Sequence, residues 1–173
     1  GGGQAPDGGW PVTVFQHGIT QDRTNMLAIA DAMADAGRVV VAIDLPMHGI
    51  VDPDSALNAA NTAFPADAER HFGIDLAGVD PTAPGPDGDV DASGTHFYTP
   101  ANLASSRDNL RQASADLLTL GASLPIAVVP DAAGDPVPAA DAGLALNTGD
   151  SHFVGHSLGG IVGTTTLAYA PGY

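Results

Sequence analysis

Three short runs of apolar and β-branched residues punctuate a chain otherwise rich in alanine, glycine, proline and aspartate. Pro11 to Gln16 (PVTVFQ) reads as a buried strand that ends in His17-Gly18-Ile19-Thr20. Asn25 to Ala36 follows with helical spacing. Met26, Ile29, Ala30, Met33 and Ala34 share one face, Asp22 or Thr24 is placed to cap the start, and Gly37 supplies the stop. Arg38 to Asp44 is then nearly continuously apolar, as expected for a strand buried on both faces of a parallel sheet. Strand, helix and strand in this order make a right-handed βαβ unit. Helical period returns over Asn102 to Leu120, with Leu103, Leu110, Ala113, Leu117 and Leu120 as the apolar stripe and Gly121 as the terminator. His152 to Gly155 predicts a last strand, and Leu158 to Ala170 a last helix.

Between these elements the pattern dissolves. Residues of about 45–100 form a long insertion, with short helices expected over Ser55 to Ala63 and Ala66 to Phe72. A second irregular segment covers about 122–150, in which Pro125 to Val129 is placed for an edge strand. The expected organisation is one incomplete domain over residues 1–173, cut at both ends.

Charge and composition narrow the function classes. Five arginines, no lysine, nineteen aspartates and one glutamate give a net charge of -15, which repels nucleic acid and anionic membranes. The absence of cysteine removes disulfides, thiol catalysis and thiolate metal sites. No apolar run approaches the ~18 residues of a membrane span. Asp87, Asp89 and Asp91 alternate like calcium ligands, but the closing glutamate of an EF-hand loop is missing, so no metal or other cofactor is expected.

The chemistry concentrates in Gly155-His156-Ser157-Leu158-Gly159, a G-x-S-x-G pattern between a predicted strand and a predicted helix. In that context a sharp turn holds a serine hydroxyl above the sheet edge, and the helix N-terminus directs free N–H groups and a positive dipole end at any developing oxyanion. Side chains at Gly155 or Gly159 would collide with neighbouring backbone in so tight a turn. Ser157 is the candidate nucleophile and the N–H of Leu158 one oxyanion donor.

FQHGIT, VVVAIDLPMHG and HFVGHSLGG, taken in order with the segment Ser105 to Leu118, resemble the α/β-hydrolase superfamily. Within it they are most similar to bacterial extracellular lipases and esterases related to virulence-factor lipases. The matching stretches cover about half of the chain. The resemblance implies a partial α/β-hydrolase fold: a three-stranded parallel sheet core flanked by helices, with the first strand between the other two. It further implies that Ile19 gives the second oxyanion N–H, that Gly18 leaves room for substrate, and that His17 and His156 shape the loop and the elbow. The implied activity is carboxylic ester hydrolysis of a small-molecule or lipid ester through an acyl-enzyme, in a secreted or cell-envelope setting.

Triad order in that superfamily is Ser, then Asp or Glu, then His. Only sixteen residues follow Ser157, and none is Asp, Glu or His. The expected acid and base therefore belong to a missing C-terminal half, and without the histidine turnover should fall by about six orders of magnitude. Asp44, His48 and His96 are the upstream groups that a rearranged triad would use, while His152 belongs below the site on its strand. Phe64, Phe72, Phe97 and Tyr98 in the insertion are expected to build an apolar acyl pocket or lid. The elbow alone does not choose the acceptor, so an amidase, peptidase or acyltransferase, or a non-catalytic chain, stands beside the esterase reading.

Overall fold

The computed structural model describes residues 5–170 other than 64, 66, 67, 79–81 and 83. Its centre is β1 (Trp10–Gln16), which pairs in parallel with β2 (Val39–Ala42) on one side and β5 (Leu146–Gly155) on the other. Five consecutive residues of β1, Val12 to Gln16, are buried, so the strand is covered on both faces. Alternation of side chains separates those faces. Val12 and Val14 join the main core, whereas the Thr13 hydroxyl lies 3.9 Å from the Met33 sulfur of α1 (Leu27–Asp35). An α/β arrangement with the first strand in the middle is thus as expected.

β2 differs from expectation. Val39 to Ala42 are half-buried, because β2 is a sheet edge with no strand beyond it among the described residues. α1 is likewise shallow, contributing no fully buried residue. A single turn of 3-10 helix at Arg23–Met26 precedes it, with Asp22 accepting from the Thr24 N–H at 2.8 Å. Gly37, at φ +72°, ends it as the pattern predicts.

β5 begins earlier than the apolar run suggested. Its pairing with β1 slips between Pro11, opposite Asn147, and Val12, opposite Ser151. The Arg38 guanidinium bridges this irregularity, donating to the Thr13 hydroxyl (2.9 Å), to the Val12 carbonyl (2.5 Å), and to the carboxylate and carbonyl of Asp150 (3.0 and 3.1 Å). One arginine thereby ties all three strands.

α2 (Leu103–Ser123) runs through Gly121 instead of stopping there and passes into a turn of 3-10 helix at Leu124–Ile126. Leu117 and Ala113 are buried in the core against Leu158 and Val162 of α3 (Leu158–Tyr169), but Leu103, placed in the stripe from its spacing, is 74% exposed at the first turn. The second irregular segment holds a two-stranded antiparallel ribbon, β3 (Val128–Pro130) with β4 (Pro136–Pro138). No helix among the described residues is long and apolar enough to cross a membrane.

The insertion is held by charge more than by regular structure. Its one regular element among the described residues is a 3-10 turn at Ala59–Asn61. The Arg23 guanidinium joins the Asp44 carboxylate at the end of β2 to the Glu69 carboxylate (2.7 and 2.9 Å) and the Leu57 carbonyl (2.8 Å). Glu69 in turn accepts the N–H groups of Ile50 and Ala59 at 2.9 and 2.8 Å. Burial alone would raise the Glu69 carboxyl, but Arg23 and the two amides outweigh it and hold its pKa down to about 2. This carboxylate therefore stabilises the fold above its ordinary pKa near 4.5, and the contribution fades as pH falls from there toward about 2. Glu69→Gln is expected to cost about 3 kcal/mol at pH 7, since it leaves buried donors and part of a buried charge unmatched. Urea denaturation at pH 7 and pH 3 checks this, with the difference between variant and parent shrinking at the lower pH.

Candidate active site

At the end of β5 the chain enters α3 through one residue, Ser157, whose backbone lies at φ 52°, ψ -115°. A non-glycine residue there carries strain of about 1–3 kcal/mol and persists only where its surroundings over-determine it. Those surroundings are visible. The His156 N–H donates to the Gln16 carbonyl (2.9 Å), the Gly159 N–H to His156 (2.9 Å), and the Gly160 and Ile161 N–H groups to Ser157 (2.9 and 3.3 Å). A Cβ at Gly155 would stand 2.6 Å from the Gly159 carbonyl carbon, and one at Gly159 would strike the Gln16 carbonyl oxygen. Both glycines are required for the turn to sit this close to β1. Gly163, one helical turn on, is needed as well, since a Cβ there would run into the Phe153 ring.

Ser157 occupies the N-cap position of α3, where a serine normally turns its hydroxyl back to an amide of the first turn. Here it makes no such bond, and the residue is exposed. The hydroxyl is therefore free to face solvent or a substrate. Leu158, which follows, is buried, and its N–H has no hydrogen-bond partner among the described residues.

The loop after β1 packs onto this elbow. A Cβ at Gly18 would lie 3.1 Å from the Ser157 Cβ and 3.2 Å from the His156 Nδ1, so only glycine permits the approach without displacement. Ile19 lies against the core, and its N–H, like that of Leu158, has no partner among the described residues.

His17 is fully buried beneath the loop. Its Nδ1 is 2.8 Å from the Gly18 carbonyl and must carry the proton, while Nε2 accepts the Leu45 N–H at 3.1 Å and must not. Both bonds exist only for the neutral ring in one tautomer. Burial lowers its pKa, overcoming the Gly18 carbonyl and the Asp44 carboxylate, which favour the charged form. Its neighbour His48, with ring centroids 5.0 Å apart, is also buried and donates to the Pro46 carbonyl at 2.8 Å; burial brings its pKa down to about 4.

The remaining candidates do not gather at the serine. Asp44 is taken up by Arg23, His48 stacks between His17 and Phe97, and His96 pairs with Asp91 at 2.7 Å. His152 lies 66% exposed on β5, 3.6 Å from Asp150. Among the described residues, no histidine or carboxylate is hydrogen-bonded to the Ser157 hydroxyl. Phe97, expected in an acyl pocket, is wholly buried core instead, with Phe72 and Tyr98 exposed; Phe64 lies outside the described residues. A cleft of about 420 Å³ between β2, the insertion and α2 is lined by Ile43, Asp44 and Leu120, and neither Ser157 nor Ile19 borders it.

One residue at the site is unmarked in the sequence pattern. The Gln21 side-chain oxygen accepts the Gly18 N–H at 3.2 Å and lies 3.0 Å from the His156 Nδ1, so it touches loop and elbow together. A lone glutamine in a polar loop carries no periodic or motif signal that would have singled it out.

Two measurements check this geometry. Gly159→Ala is expected to lose about 2–3 kcal/mol of stability because backbone must move to admit the methyl group. Gly160→Ala, whose new Cβ would meet nothing closer than 3.4 Å, should be neutral or gain up to about 1 kcal/mol from helix propensity. The buried imidazoles add a pH signature. Both have folded pKa values below the ordinary 6.5, so their contribution is intact above that value and is lost as pH falls, for His48 down to about 4. The urea midpoint should drop between pH 7.5 and pH 4.5, with a shallower slope in His48→Gln.

No protein-family model, curated protein or solved structure matches this chain.

Proposed function

We propose that the chain carries the nucleophile and oxyanion hole of a serine ester hydrolase of lipase or carboxylesterase type, built on part of an α/β-hydrolase fold. The observation that carries this reading is the strained, exposed Ser157 between β5 and α3, with the Gly18 loop packed against its Cβ.

In this mechanism the Ser157 hydroxyl attacks the carbonyl carbon of the ester. The carbonyl π electrons move onto oxygen, and the N–H groups of Ile19 and Leu158, neither spent on another acceptor, receive the oxyanion. Each such donor is worth about 3 kcal/mol of barrier in a preorganised site. The N-terminus of the twelve-residue α3 adds its dipole. Collapse of the intermediate expels the alcohol and leaves the acyl group on Ser157, and water then releases the acid. Both steps need a base and its orienting carboxylate, which this reading assigns to sequence beyond these residues. His17 takes no part in proton transfer, because both ring nitrogens are committed to holding the loop.

A non-catalytic chain is the second reading, favoured by the absence of a base beside Ser157 among the described residues. Fluorophosphonate labelling of the 173-residue chain separates the two. Labelling at Ser157 that is accelerated by imidazole in solution and abolished in Ser157→Ala is expected for the hydrolase. In a longer chain supplying acid and base, Ser157→Ala should lower turnover of p-nitrophenyl esters by about six orders of magnitude. Unchanged hydrolysis in that variant would end the hydrolase reading, and a panel of matched amides tests amidase or peptidase action.

A further inference from the structure

We propose that Gln21 is a positioning residue that clamps the oxyanion loop onto the nucleophile elbow, an inference that rests on the serine-hydrolase reading. Its side-chain oxygen has two acceptor sites and receives one donor from each segment: the Gly18 N–H at 3.2 Å and the His156 ring at Nδ1, 3.0 Å away. His156 then holds its proton on Nδ1. The two donors stand in the chain one residue before Ile19 and two before Leu158, whose N–H groups are the proposed oxyanion donors. A single acceptor shared between them sets the spacing of those two N–H groups.

The backbone around Gln21 is built to keep it in place. Its N–H donates to the Gly18 carbonyl at 3.3 Å, closing a tight turn. Thr20, inside that turn, lies at φ 65°, a region that a β-branched residue enters only under constraint. From the other side, the buried Ser93 of the insertion donates its hydroxyl to the Gln21 carbonyl at 2.7 Å and accepts the Gly49 N–H at 3.2 Å. The insertion thereby reaches the site through Gln21, although its aromatic residues do not build a pocket there. A glutamine is suited to this task because its amide oxygen stays an acceptor at every pH of interest and brings no charge against the oxyanion.

The test compares Gln21→Met, which keeps length and loses the strong acceptor, with Gln21→Glu, which keeps an acceptor oxygen. Amide hydrogen exchange is read at Gly18, with Val14 in β1 as the reference for global stability, and the His156 ring proton is followed by NMR. In Gln21→Met, Gly18 exchange is expected to rise about tenfold with Val14 unchanged, the hydrogen-bonded His156 ring-proton signal to disappear, and fluorophosphonate labelling to slow by about tenfold. Gln21→Glu should restore Gly18 protection and the ring-proton signal. No rise at Gly18, a rise matched at Val14, or no rescue by Gln21→Glu overturns the clamp. Failure of the unaltered chain to label at Ser157 would count against the serine-hydrolase reading alone, since exchange at Gly18 and the ring-proton signal decide the clamp separately.

Discussion

The structure around Ser157 depends on one close approach, that of the turn after β5 to the last carbonyl of β1. Gln16 presents its carbonyl oxygen to the His156 N–H, and Gly159 passes so near that a methyl group would collide with the same oxygen. This packing holds Ser157 in a sparsely populated backbone conformation. It also diverts the serine from its ordinary task as a helix cap, since its hydroxyl makes no bond to the first turn of α3. Of the first four amides of α3, that of Leu158 alone is left without a partner among the described residues.

Charge is managed differently at the two ends of the loop that follows β1. Near the serine, two buried imidazoles stay neutral and act as geometric struts, His17 between two backbone groups and His48 against Phe97. Farther along, Arg23 gathers Asp44 and the chain's sole glutamate into a buried ionic knot that fastens the insertion. The other four arginines pair outside this knot, Arg38 with Asp150, Arg70 with Asp116, and Arg107 and Arg111 with Asp108.

What could be read from the letters was whatever depends on local periodicity. β1, the turn at Gly37, the position of α3 and the strand-to-helix setting of Ser157 each leave a short-range pattern. What escaped depends on partners distant in sequence. Val39 to Ala42 have the composition of a doubly covered strand yet lie at an edge, because nothing in their own order says whether another strand follows. Gly121 would be a stop on propensity, but α2 continues through it into the turn that buries Leu124. Phe97 looked like a pocket residue because it lies in an irregular stretch, whereas irregular backbone can still deliver an aromatic ring to the core. The turn at Ser157 and the His-Gly loop packed against it were legible as motifs; Gln21, which links them, was legible only in three dimensions.

The central place of β1 has a consequence for how the chain acquires its shape during synthesis. β1 is made before either of its flanking strands, and one of them, β5, follows only after the insertion and α2. The whole insertion and α2 are made before that edge can be closed, and pairing across so long a sequence separation is intrinsically slow to form. Until then an apolar strand stands with an open side, a condition that exposes a nascent chain to aggregation.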